Sequence, residues 1–268
     1  MQKTRINGVV TYIPKTQQSP PPAPPPADDE AEEAEADVQP VPEDDDTTTP
    51  SGKTLADVQQ MDDNELHDFL INVNDTDVPD ILNDHHLQRM VYALGLNNKP
   101  EIVSQKEFND LRKSGAVQVW RTTNPGSTQS GVPLSAKQIN QMFVDGDLTY
   151  LGRGIHGDGL YFSDVKSGSL MYGVGGGRSS VVSGVINKNA RIISENSLRN
   201  MYDNYITTHP RTRRALGFAR RHSTSDSMSQ FALLMGYNVI SSAQGGGETY
   251  YTVLDRSAIT TTGKLETY

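Results

Sequence analysis

Gly157-Asp158-Gly159-Leu160-Tyr161-Phe162-Ser163-Asp164-Val165-Lys166-Ser167-Gly168-Ser169-Leu170-Met171-Tyr172 is the stretch on which the reading of this chain turns. Its two leading glycines allow a close backbone approach. An aromatic strand follows, and a run of small residues then opens a helix on which Ser169 and Tyr172, three residues apart, share a face. Tyr161 and Tyr172 would form two walls of a slot for a planar ring. A flat cation such as oxidised nicotinamide suits that slot through stacking and cation–π attraction. Phe162 points to the opposite side of the strand, where core is its expected place.

The run resembles the nicotinamide-pocket motif of the ADP-ribosyltransferases, most of all the poly(ADP-ribose) polymerase and diphtheria-toxin branch. There a Gly-x-Gly-Ile-Tyr-Phe-Ala-Asp strand precedes a Ser-x-Ser-x-x-Tyr helix start. Gly157, Gly159, Tyr161, Phe162, Asp164, Ser167, Ser169 and Tyr172 fall on matching positions without a gap. The resemblance implies NAD as the substrate, with Gly159 lining the approach, Tyr161 and Tyr172 sandwiching the nicotinamide and Ser169 bonding its carboxamide.

Upstream, Val119-Trp120-Arg121-Thr122 is similar to the family's first core strand. That likeness implies that Arg121 holds the NAD ribose or phosphate, a task suited to a forked, permanently charged donor. Thr122 stands beside the cofactor where the family has glycine. Downstream, residues 180–194 resemble the strand pair that follows the motif helix.

The run Gly245-Gly246-Gly247-Glu248-Thr249-Tyr250-Tyr251-Thr252-Val253-Leu254-Asp255-Arg256-Ser257 is similar to the last strand, which delivers the catalytic glutamate in these enzymes. It also resembles transferase-like domains attached to bacteriophage head proteins. On this alignment Tyr250 takes the glutamate's position and Glu248 lies two residues earlier, on the same side of the strand. A bulge near the three glycines would bring Glu248 to the site. Cleaving the N-glycosidic bond of NAD passes through an oxocarbenium-like ribose. That state needs a nearby anion and a hydrogen bond to the 2′-hydroxyl, and one carboxylate supplies both. The Glu-x-Glu of the arginine-transferring branch is absent.

Composition bounds the rest. The chain has 268 residues, a formal net charge of -9 and no cysteine. A disulfide framework, a thiolate zinc site and a cysteine nucleophile are therefore excluded. Six scattered histidines offer no metal-ligand spacing, so no metal is expected. Residues 1–50 hold ten of the 15 prolines and eleven acidic against three basic residues, leaving residues 51–268 almost neutral. Neither a signal-peptide core nor an apolar run of about 20 residues is present, so a protein of the cytoplasm or of a virion is expected.

These features predict three parts. Residues 1–53 read as a disordered, proline-rich acidic tail carrying a strand-like candidate docking segment, residues 6–13, for a capsid or assembly partner. Residues 54–98 read as a helical segment from their three- and four-residue apolar spacings. Residues 99–268 read as an α+β domain of two packed, mainly antiparallel sheets with flanking helices, resembling the ADP-ribosyltransferase fold. The function this implies is mono-ADP-ribosyl transfer from NAD to an unidentified protein acceptor, with Glu248 and Arg121 catalytic and Thr122, Gly159, Tyr161, Ser169, Tyr172 and Tyr250 around NAD. The competing reading is a catalytically inactive relative that serves virion assembly. The basic residues of 209–222 (His209, Arg211, Arg213, Arg214, Arg220, Arg221 and His222) are a candidate contact for phosphates, an acidic partner or the chain's own acidic tail; with few interleaved aromatics, nucleic acid is not expected. Ser223-Thr224-Ser225 reads as a helix cap, and Gly173–Arg178 as a flexible loop beside the pocket.

Overall fold

Hydroxyl, carboxylate and amide side chains set the helix starts. Thr54 with Asp57, Ser104 with Glu107 and Ser135 with Gln138 each form a reciprocal capping box, satisfying backbone N–H groups that a first helical turn leaves open. Ser194 caps a further helix. The computed structural model describes residues 2–6, 9–13, 49, 51–75, 86–97, 99–127, 131–147, 152–154, 157–173, 178–216 and 224–268.

In chain order the first elements are β1 (Gln2–Ile6), β2 (Val9–Ile13), α1 (Leu55–Gln59), α2 (Asp63–Asp75), α3 (His86–Ala93), β3 (Glu101–Ile102), α4 (Gln105–Lys113), β4 (Gln118–Thr123), β5 (Gly126–Ser127), β6 (Pro133–Leu134) and α5 (Ala136–Asp145). They are followed by β7 (Gly152–Gly154), β8 (Gly157–Ser163), α6 (Lys166–Met171), β9 (Ser180–Ile186), β10 (Ile192–Ser194), α7 (Glu195–Thr208), α8 (Pro210–Ala215), α9 (Thr224–Leu234), β11 (Val239–Ala243), β12 (Thr249–Val253) and β13 (Ile259–Thr267).

The chain divides into two units, Met1–Asp44 and Asp45–Tyr268. In the first, β1 and β2 pair antiparallel, with Ile6 opposite Val9. The strand-like run expected at 6–13 thus belongs to an antiparallel pair that begins four residues earlier. The proline-rich acidic stretch expected to be disordered lies, over residues 14–48, outside the described residues.

In the second unit the fold is mixed α/β around one large sheet. Its order is β10-β11-β12-β8-β4-β9-β13-β3, with β7 beside β8, nine strands in all. The β10–β11 and β13–β3 pairs are parallel and the others antiparallel. Where two packed sheets were expected, hydrogen bonding joins two halves into a single sheet. The link is one pair, Trp120 opposite Ser163, between β4 and β8. Strand composition and spacing cannot reveal that link, because it depends on register between distant segments.

One face of the sheet carries the core. Val119, Leu160, Phe162, Val182 and Val253 are buried with Phe143 of α5 and Phe231 of α9, and the Phe143 and Phe162 rings meet edge to face at 5.8 Å. Val58, Leu66, Leu70, Leu87 and Met90 belong to the same cluster, so the segment 54–98 shares its core with the region that follows. Ser51 donates a hydrogen bond to the Ala93 carbonyl, tying residues before Thr54 to this unit. Among the described residues no helix is long and apolar enough to cross a membrane.

Candidate functional site

Six residues of β4 show how the site is divided. Their burial alternates, with Val119, Arg121 and Thr123 buried and Gln118, Trp120 and Thr122 half-buried, as a strand dictates. Paired residues on neighbouring strands project to the same side. Ser163 opposes both Trp120 and Tyr250, so Trp120, Thr122, Tyr161, Ser163 and Tyr250 share one face. Arg121 shares the other with Phe162 and Val182.

On the first face, α6 packs over β4 and β8 where these strands part. Ser169 is buried, at 3% exposure, and its hydroxyl exchanges a hydrogen bond with Thr122 Oγ1 at 2.8 Å. Tyr172 caps the C-terminus of α6 and is 56% exposed. Its carbonyl accepts from Asn124 Nδ2 at 2.6 Å. Ser179 Oγ lies 3.0 Å from Asn124 Oδ1 and 2.9 Å from the Gly173 carbonyl, bracing the same corner. The Tyr172 ring meets Tyr250 edge to face at 5.8 Å. The expected shared face for Ser169 and Tyr172 is therefore split, with the serine turned inward to Thr122 and the tyrosine outward to Tyr250.

Glu248 joins this cluster. The Gly245–Gly247 turn, with Gly246 at φ 82°, is closed by the Gln244 N–H donating to the Glu248 carbonyl at 2.8 Å. Asp164 then clamps the following residue: its carboxylate accepts from the Thr249 N–H at 2.8 Å, and its own N–H donates to the Thr249 carbonyl at 3.1 Å. The Glu248 side chain is thereby set against Ser163, whose hydroxyl donates to Oε1 at 2.6 Å. Ser163 also accepts from the Val165 N–H at 2.9 Å. A hydrogen bond to the Tyr172 phenol, loss of solvent and the neighbouring Glu248 charge push the Tyr250 hydroxyl up to about 12. At neutral pH it is a phenol able to donate.

Arg121 does not join them. It is 6% exposed on the helix-covered face, near Arg256, which is 4% exposed and donates to the Asp147 carbonyl at 2.6 Å. Burial and the Arg121 charge bring Arg256 down to about 10. Asp158, also buried, lies on the same side of β8. Gly159 serves strand contact: a Cβ there would collide with Thr252 Cγ2 and sit 3.2 Å from the Val253 carbonyl. Tyr161 is half-buried on the Ser163 side. Residues 217–222 of the basic run and 174–177 of the glycine loop lie outside the described residues, and Thr224 and Ser225, the residues expected to cap a helix, lie inside α9. A cleft of 440 Å³ lined by Glu101, Asn187, Lys188 and Asn238 shares no residue with the Glu248 cluster.

Ser163, Asp164, Gly168 and Asn124 were not singled out as site residues from sequence. Ser163 carried a signal, since it lies two residues from Tyr161 and so on the same side of β8. Asn124 carried none, because its partners are distant in the chain, and Asp164 carried only its place in the motif, which does not show that it binds Thr249. Comparison with protein-family models, curated proteins and solved structures returns no match.

Proposed function

We propose that the chain is an NAD-dependent mono-ADP-ribosyltransferase acting on a protein. The observation that supports this most is that the Glu248 carboxylate, the Ser169 hydroxyl and the Tyr172 ring lie around the point where β4 and β8 part. An aromatic face, a small hydroxyl and an anion within one corner are what a pyridinium riboside needs.

In this reading Tyr172 offers its exposed ring to the nicotinamide, with Tyr161 on the strand below. Ser169 exchanges its bond with Thr122 for one to the carboxamide. Glu248 faces the ribose, accepts from its 2′-hydroxyl and stabilises the positive charge that grows at C1′. The bond from C1′ to the nicotinamide nitrogen breaks and its electron pair leaves with nicotinamide. A heteroatom of the acceptor bonds to C1′ and its proton is released. Transfer of a single unit is favoured because Tyr250, not a carboxylate, stands where the resemblance places the glutamate needed for elongation.

The full chain, incubated with labelled NAD and a cell lysate, should release nicotinamide and label protein, and Glu248→Gln should lose both. A folded wild-type protein that releases no nicotinamide overturns the reading. The alternative, an inactive virion or assembly protein recruited through residues 6–13, then takes its place. Two observations favour that alternative: Arg121 faces the core, and Tyr172 packs on Tyr250. Deleting residues 1–15 and following incorporation into particles tests it.

A further inference from the structure

Strand alternation puts Glu248 on the correct face of β12 but does not set where its carboxylate rests. We propose that Ser163 and Gly168 form a fitted seat for that carboxylate and act as its positioning residues; this rests on the transferase reading above. A Cβ built on Gly168 would fall on top of Glu248 Oε1 and 2.7 Å from Oε2. No other residue leaves α6 where it is with the carboxylate in place. Glycine is the poorest helix former after proline, and Gly168 sits inside the six-residue α6. A local rule broken at one point, beside a half-buried anion, marks a requirement of the site.

Ser163 supplies the directional part of the seat. Its hydroxyl is held by the Val165 N–H at 2.9 Å and lies 2.6 Å from Oε1, closer than the 2.9 Å to the Val165 carbonyl that competes for its one proton, so one carboxylate oxygen is held. Ser163 is 1% exposed, which protects that bond from exchange with water. The seat lies two residues from the position where the resemblance expects the acid, and so accounts for how an earlier glutamate reaches the site at all. The clamp of Asp164 on Thr249 acts with it, since it anchors the residue next to Glu248 to the end of β8.

Gly168→Ala in the full chain should reduce the kcat of nicotinamide release about 10²-fold, the effect of misplacing a reacting group by about 1 Å, with the KM for NAD within about threefold. Glu248→Asp, one methylene shorter, should draw the carboxylate back from the added methyl. The double variant should therefore exceed Gly168→Ala in rate, a recovery that a merely structural glycine does not give. Ser163→Ala should lower kcat without that recovery.

The Tyr250 phenol reports on the seat without turnover. Its bond to Tyr172, burial and the Glu248 charge push it up to about 12 in the wild type, so it should fall in Glu248→Gln, which removes that charge, and shift by less in Gly168→Ala, which only moves the charge aside. If the wild type releases no nicotinamide, the transferase reading fails and this titration alone judges the seat. A Gly168→Ala protein with wild-type kcat, or with an unmoved Tyr250 titration, overturns the proposal.

Discussion

The two sides of β4 are made from alternate residues of one six-residue strand, and they do different work. On one side Thr122 reaches Ser169, and Trp120 opposes the Ser163 that binds Glu248. This side is polar, partly open and held by hydrogen bonds between side chains of distant segments. On the other, Val119 and Arg121 are packed beneath helices with Val182, Phe162 and a second buried arginine, Arg256. A single step along the strand moves a residue from the polar, partly open side to the packed one. The difference teaches that residue type alone does not assign Arg121, since a guanidinium suited to a phosphate is equally suited to a buried charge cluster.

The sharpest way to break this division is to mutate the packed side. Phe162→Ala should destabilise the protein by about 3–5 kcal/mol through the lost ring and its cavity, read as a fall in the denaturation midpoint. Arg121→Ala should cost less, about 0.5–3 kcal/mol, because it removes the packed stem of a buried side chain and at the same time the like charge that weakens Arg256. The KM for NAD of the remaining folded protein should be unchanged. A raised KM at unchanged stability would return Arg121 to the NAD side.

On the open side the order reverses. Glu248→Gln should lower nicotinamide release by about 10²–10³-fold, the range found for removing one group that stabilises developing charge, while leaving the thermal midpoint within a few degrees. A smaller, pH-dependent effect comes from Tyr250, raised from the usual 10.0 to about 12 by its bond to Tyr172, by burial and by Glu248. The unfolded chain loses this proton first. Stabilisation is therefore complete below pH 10 and is lost as the pH rises towards about 12. Denaturation across that window should show a decline that Tyr250→Phe lacks. The smallest effect belongs to neither side: Lys166 and Glu266 pair at 2.7 Å on the surface, and Lys166→Ala should change stability by about 0.2–1 kcal/mol or less.

Much of the sheet was legible because its strands are locally marked. The runs expected as strands at 116–122, 159–163, 180–186 and 250–254 have apolar and aromatic content broken by glycine, and they overlap β4, β8, β9 and β12. The nine-residue β13, rich in threonine and interrupted by Gly263, lacks the alternation that marks a half-buried strand, and was missed. So was α8, whose Pro210-Arg211-Thr212-Arg213-Arg214-Ala215 shows no apolar stripe. Asp63 holds it from outside, accepting from the Thr212 N–H at 2.9 Å and its hydroxyl at 2.6 Å.

Within the candidate site, Glu248, Ser169, Tyr172 and Tyr250 were named through the resemblance of two local motifs, and alternation added only that Glu248 and Tyr250 stand on one side of their strand. The sequence by itself determined the acidic, proline-rich character of the tail, the helix caps and the side of β12 on which Glu248 stands. Only the tertiary structure decided that Arg121 is buried beside Arg256, that Tyr172 meets Tyr250, and that Glu248 rests against Ser163 and Gly168. These depend on the register between β4, β8 and β12 and on where α6 lies across them. Such contacts join residues 85 positions apart for Ser163 and Glu248 and 135 apart for Arg121 and Arg256, and no local propensity carries information over that distance.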